Sequence, residues 1–180
     1  MGSVTELIEI PLTSEQLAQR YRVLAADPRL ANLPGKIELD VWGRILVSPA
    51  SNLHALLQGR MIQRLSKLGG ESLAEASVST AIGILVTDVA WMSSATAASL
   101  GTRTPYPLAP DLCVEIVSPS NSRKEIDDKT AAYLGSGARE VWVVYPQTRR
   151  IEWFGPEGRL DHPTFAMDAE GLFDPARTSP

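Results

Sequence analysis

Two acidic residues stand inside runs that otherwise read as buried strands. Glu115 lies in Leu112-Cys113-Val114-Glu115-Ile116-Val117, and Asp88 in Ile84-Leu85-Val86-Thr87-Asp88-Val89-Ala90-Trp91. A carboxylate buried in such a run is costly to leave charged and unpaired. Strand alternation puts Leu112, Val114 and Ile116 on one face and Cys113, Glu115 and Val117 on the other. Glu115 therefore faces a cleft, a cation or a basic partner, and a local Arg or Lys would also satisfy it. For Asp88 the competing reading is a strand-end aspartate that caps a turn. Two carboxylates on neighbouring strands can hold a hard divalent cation such as Mg²⁺, with Mn²⁺ as a substitute, through oxygen ligands. Such an ion polarises a phosphodiester and lowers the pKa of a bound water.

Three further residues could serve the same chemistry. Glu38 alternates with Ile37 and Leu39 in an early hairpin, as an exposed edge residue or a third acid for the metal. Lys129 follows Glu125 by four residues and precedes Tyr133 by four, so the three share one helix face. Its ammonium either pairs with Glu125 or reaches back to the strand ends, where it would orient a water or steady phosphoryl charge. His54 sits at the edge of an apolar stripe, as a proton shuttle, a phosphate contact or a helix-start hydrogen bonder. Arg123, Lys124, Arg139, Arg149 and Arg150 are candidates for backbone phosphate contacts. The chain has no GxGxxG, GxxxxGK[ST] or GxSxG run, which leaves dinucleotide, P-loop and nucleophile-elbow chemistry without support. Two distant histidines and one cysteine do not make a standard zinc site.

The elements that must position these residues follow from pattern. Thr13 and Gln16 have capping-box spacing ahead of a helix expected over Ser14 to Ala26. Asn32 to Gly35 reads as a turn, followed by short strands over Lys36 to Leu39 and Arg44 to Ser48. Leu53, Leu57, Met61, Leu65 and Leu68 repeat at three or four residues and predict a helix from Asn52 to Leu68, stopped by Gly69-Gly70. Ala76 to Met92 gives two strands, with Gly83 as a break or bulge. Ser93 to Pro110 lacks pattern and reads as a loop. Leu112 to Val117 is a central strand, Ser122 to Leu134 a helix, Val141 to Tyr145 and Arg149 to Phe154 a strand pair, with one more short strand beyond Gly158. Trp42, Trp91, Trp142 and Trp153 are expected to pack in the core. The order predicts an α/β domain with a mixed central sheet and helices packed against it.

Size and composition set the remaining bounds. The chain has 180 residues, 44% hydrophobic and 21% charged, with one cysteine and a net charge of -4. This fits one globular domain with no disulfide framework, and a core over about residues 12 to 160. Residues 172 to 180 read as a frayed tail. The start MGSVTELIEI has neither a basic region nor a long apolar run, so no signal peptide is expected. No stretch approaches the roughly 18 apolar residues of a membrane span, and a cytoplasmic setting fits. The acidic balance is unfavourable for a backbone-binding surface, which usually gathers Lys and Arg.

At these same residues the chain resembles the Uma2 family of restriction-endonuclease-like proteins, formerly DUF820, common in bacteria and placed in the PD-(D/E)XK nuclease superfamily. The strongest stretch is APDLCVEIVSPSNSRKEIDDKTAAYLGSGAREVWVVYP, with weaker matches in GKIELDVWGRILVSPA, in SNLH and in TDVAWM. The resemblance implies a restriction-endonuclease-like core, with Asp88 and Glu115 as the metal-binding acids and Glu38 as an additional acid. It also implies Lys129 as the helix lysine and His54 as the histidine after the hairpin. Three positions depart from the pattern: Val117 stands where the superfamily has a lysine, Thr87 replaces the usual proline before Asp88, and Glu125 stands where the family often has aspartate, before the unusual pair Asp127-Asp128.

These readings lead to an Mg²⁺-dependent endonuclease acting on DNA, with Lys129 organising the attacking water. A double-strand cut needs two sites, so a homodimer is a partner this reading allows. The alternative is a nuclease-like fold used as a nucleic-acid-binding or protein-interaction module, which Val117 and the net charge favour. A third reading makes Asp88 and Glu115 the acid–base pair of a sugar or nucleotide hydrolase.

Overall fold

The structure, a computed structural model, describes residues 10–30, 35–49 and 51–174. The expected turn at 32–35 falls largely outside these residues, as does the expected frayed tail from 175 on; its first residues, 172–174, are described, and Leu172 is buried. Helix α1 (Ser14–Ala25) begins with the expected capping box, in which Thr13 and Gln16 bond each other's backbone N–H groups. Strands β1 (Lys36–Asp40) and β2 (Ile45–Ser48) form a hairpin, and α2 (Asn52–Leu65) runs on into a 3₁₀ turn at Ser66–Leu68. Strands β3 (Glu71–Thr80) and β4 (Gly83–Met92) form a second, longer hairpin. Helix α3 (Ser94–Leu100), β5 (Leu112–Ile116), α4 (Arg123–Gly135), β6 (Glu140–Tyr145), β7 (Arg150–Gly155) and β8 (Gly158–Leu160) complete the chain.

The eight strands make one mixed sheet in the order β2-β1-β4-β5-β6-β7-β8, with β3 on β4. Only β5 and β6 among the named strands run parallel, and α4 is their crossover helix. On one face Leu57, Met61 and Leu65 of α2 pack against Val89, Trp91, Val114 and Trp142. On the other, Ile126 and Tyr133 of α4 pack against Cys113, Val141 and Val143. Leu17 of α1 closes the β1 end over Leu39 and Ile84.

The arrangement around β4 matters most for the site. Strand β3 pairs with β4 along its whole length, so β1 and β5 must share the opposite edge. Strand β1 pairs only with Gly83 and Ile84, and β5 only with Val89 to Trp91. Between them, at residues 85 to 88, this edge of β4 has no strand beside it.

Several expectations need correction. The stretch from Ser93 to Pro110 is not all loop: Ser93 caps α3 by accepting from the Thr96 N–H, and Leu100 is buried against Ala90 and Met92. The short Ser-Ala-Thr-Ala-Ala-Ser-Leu run shows too little apolar period to reveal this. Of the two readings for Gly83, the break holds and the bulge does not: it is the first residue of β4 after the hairpin turn. Leu53 lies on the exposed side of α2, and Trp42 is exposed with the Arg44 guanidinium 4.4 Å over its ring. The core also reaches beyond residue 160. Phe165 and Leu172 are buried in the α2 layer, and Arg60 donates to the carbonyls of Leu172 and Asp174. Among the described residues no helix is long and apolar enough to cross a membrane.

Gly83 fixes how closely β1 approaches β4. It has φ +132°, and a Cβ there would lie 1.9 Å from the Leu39 carbonyl oxygen. Gly83→Ala is expected to lower stability in urea denaturation by more than about 1 kcal/mol, because alanine meets both an unfavourable φ and the β1 backbone.

Candidate functional site

The open edge of β4 is buried, and buried backbone N–H and C=O groups must find partners. Side chains supply them. The Val86 N–H donates to Glu38 Oε1 at 2.8 Å, and Lys36 Nζ donates to the Val86 carbonyl at 2.7 Å. Gln58 on α2 donates to the Asp88 carbonyl at 2.7 Å. Lys36 and Glu38 are two residues apart on β1, so they project from one face into the gap.

Each acid at the gap is fixed by a different element. Asp88 Oδ2 accepts from the Ile116 N–H at 2.6 Å, which takes a β5 backbone group into the site. Glu115 Oε1 accepts from the Tyr133 hydroxyl of α4 at 2.7 Å. Each carboxylate thus has one oxygen anchored and one left over. The two remaining oxygens meet the same ammonium: Lys36 Nζ is 2.7 Å from Asp88 Oδ1 and 3.5 Å from Glu115 Oε2. Lys129 of α4 donates to both oxygens of Glu38 at 2.9 Å and lies 3.8 Å from Glu115 Oε2. His54 of α2 places Nε2 3.1 Å from Asp88 Oδ1. Lys36, His54, Asp88, Glu115 and Lys129 line a cleft of about 30 Å³, with room for a water or two, and Glu38 lies outside its lining.

All five residues singled out in the sequence therefore converge. Lys129 takes the reading that reaches back to the strands rather than the pair with Glu125, and Glu38 is neither exposed nor unpaired. Lys129 faces Glu38, while Glu125 accepts from the Asn121 side-chain amide. Glu38 is not turned toward a cation shared with Asp88 and Glu115, because Lys129 and the Val86 N–H occupy its oxygens. Among the described residues no three His, Cys, Asp or Glu side chains group as a metal ligand set. The oxygen pair of Asp88 and Glu115 nevertheless fits a hard cation, which commonly takes one or two carboxylates and completes its shell with water.

Lys36, Gln58 and Tyr133 were not singled out as site residues. Gln58 is four residues after His54 and Tyr133 four after Lys129, so each shares a helix face with a recognised residue. Nothing local marks Lys36. Three of the four arginines expected to meet phosphate are engaged elsewhere: Arg123 pairs with Asp127 and Glu152, Arg150 with Glu152, and Arg139 lies over the Phe165 ring. Lys124 pairs with Asp128. Exposed pairs of this kind contribute little to stability.

The electrostatics separate the two acids. Burial raises the pKa of Asp88, but the His54 hydrogen bond and Lys36 outweigh it and bring the value down to about 2. Burial raises that of Glu115, and Lys36 and Lys129 offset this only in part. For Lys36, burial is outweighed by Glu115, Asp88 and Glu38, and its pKa lies well above the lysine range. Burial, reinforced by Glu115 and Glu38, pushes the Tyr133 phenol well up, so it stays a donor.

A family model described as Uma2, "Putative restriction endonuclease", matches residues 19–171. The chain belongs to the Uma2 family. A crystal structure from Anabaena variabilis ATCC 29413, described as "a putative nuclease belonging to DUF820", superposes with a TM-score of 0.67 at 16% identity. The match covers 91% of this chain and 98% of that one. At this identity the likeness shows the fold alone, and the fold is the restriction-endonuclease-like one expected for Uma2. No curated protein matches the chain.

The opposite shifts of Asp88 and Glu115 predict opposite pH effects. Asp88 has a folded pKa of about 2 against an ordinary 3.8, so its charge stabilises the fold above that ordinary value. This contribution, on the order of 2 kcal/mol, is lost as pH falls from about 4 toward 2. Glu115 is raised, so its ionisation costs stability as pH rises above its ordinary 4.5. In thermal melts at pH 7, Asp88→Asn is expected to lower Tm more than Glu115→Gln. Asp88→Asn also flattens the acid limb of the stability profile, whereas equal acid limbs would contradict the assignment.

Proposed function

We propose that this Uma2 chain is a divalent-metal-dependent endonuclease that hydrolyses DNA phosphodiester bonds. The observation that carries the reading is the pair of oxygens, Asp88 Oδ1 and Glu115 Oε2, that meet one side-chain cation, Lys36, while each carboxylate's second oxygen is anchored by a neutral donor. Mg²⁺, or Mn²⁺ in its place, suits these oxygen donors. Bound there, the ion supplies Lewis acidity to the phosphodiester.

The chain's own residues do the rest. Ile116 N–H and the Tyr133 hydroxyl aim the two carboxylates. Glu38 and Lys129 close the gap in the sheet and keep a second ammonium 3.8 Å from Glu115 Oε2, where it steadies developing negative charge. His54 holds Asp88 Oδ1 through Nε2 and so helps to fix the carboxylate. A water adds to phosphorus, one P–O bond breaks and the departing oxygen takes a proton. The shared ammonium favours this reading over a sugar hydrolase, whose two carboxyl groups must flank a substrate.

A second reading is a binding module that has kept the fold. It is favoured by Val117, which leaves Glu115 without a lysine two residues on. Cleavage of supercoiled and linear duplex DNA with Mg²⁺ or Mn²⁺ separates the two. Asp88→Ala and Glu115→Ala are each expected to reduce cleavage at least a hundredfold, about the effect of losing a principal electrostatic stabiliser. Retained cleavage in both variants contradicts the site, and duplex binding without turnover with either ion favours the module.

A further inference from the structure

Val117 shares a strand face with Glu115 but carries no charge. The position it leaves without a lysine is served from another strand. Lys36, 79 residues from Glu115 in sequence, brings its ammonium to the carboxylate pair through the gap in the sheet. It contacts the Val86 carbonyl, Asp88 Oδ1 and Glu115 Oε2, so its three N–H donors have three oxygens. The last two are the oxygens assigned above to the cation. Lys129, by contrast, is committed to both oxygens of Glu38.

An ammonium and a divalent ion cannot occupy the same small space between two carboxylates, because their repulsion at such distances is large. The lysine stem is flexible and its ammonium is a compact point charge, so it can turn while its backbone stays in β1. The backbone is held there by the Lys36 to Ser48 pairing with β2. Lys36, Ser48 and His54 all line the cleft, so the ammonium already borders the space into which it would turn.

We propose that Lys36 is the ammonium that works with Asp88 and Glu115. It neutralises the pair before the cation arrives, yields its place to the ion, and turns its charge to the scissile phosphate. This rests on the reading of Asp88 and Glu115 as the metal-binding pair.

The test is titration calorimetry of the full chain with Mn²⁺, comparing wild type, Lys36→Met and Lys36→Arg. Removing the competing charge is expected to tighten Mn²⁺ binding about tenfold or more in Lys36→Met, with a larger Mn²⁺-induced rise in Tm. Lys36→Arg keeps the charge and should not tighten. At saturating Mn²⁺, Lys36→Met is expected to cleave duplex DNA at least about tenfold more slowly. Unchanged or weaker Mn²⁺ binding by Lys36→Met overturns the place-holding role. Tighter binding with undiminished cleavage overturns the turn toward phosphate. If Lys36→Met does not fold, Lys36→Gln decides by the same readings. Absence of Mn²⁺ binding in both wild type and the neutral variant overturns the metal site itself, an outcome distinct from the other two.

Discussion

A break in strand pairing organises this protein. Strands β1 and β5 flank the same edge of β4 but leave residues 85 to 88 without a strand on that edge. Water would normally satisfy such an edge, yet Val86, Thr87 and Asp88 are buried. The backbone groups there need polar partners from side chains. Glu38, Lys36 and Gln58 provide them, and bringing charged partners into the interior requires further charges to balance them. Lys129 answers Glu38, and Asp88 with Glu115 answers Lys36. The site is thus built from the same groups that close the sheet.

Such a cluster is a poor way to gain stability. Buried ion pairs lose much of their Coulomb attraction to desolvation, and packed apolar groups often do as well. On the proposed function the arrangement serves chemistry instead. Asp88 is held ionised by His54 and Lys36, whereas Glu115 is buried with less compensation and has more to gain from a further cation. One acid is settled and its neighbour is left electrostatically unsatisfied, an arrangement common where pKa values are tuned for function.

Much of this was legible in the sequence, for identifiable reasons. Asp88 and Glu115 stand out because charge inside an apolar strand breaks local consistency. Lys129 and His54 gain meaning from their order along the chain and their resemblance to the Uma2 pattern. Lys36 was invisible because a lysine at the start of a short strand after glycine looks like an ordinary solvated end. Its role depends on β1 diverging from β4, which no local pattern encodes. Glu38 was recognised but assigned a cation rather than Lys129, because alternation gives a side chain's face and not its partner. Helix α3 and the burial of Leu172 were missed for a related reason: both rest on contacts with distant elements rather than on periodicity.

The central claim is that Asp88 and Glu115 converge on one cation position. A crystal structure grown with Mn²⁺, with anomalous data collected at the manganese edge, tests it most directly. The account predicts a single strong peak bridging Asp88 Oδ1 and Glu115 Oε2, with the Lys36 ammonium moved away from both. A structure in which Mn²⁺ binds elsewhere while Lys36 keeps its place between the two carboxylates would contradict it.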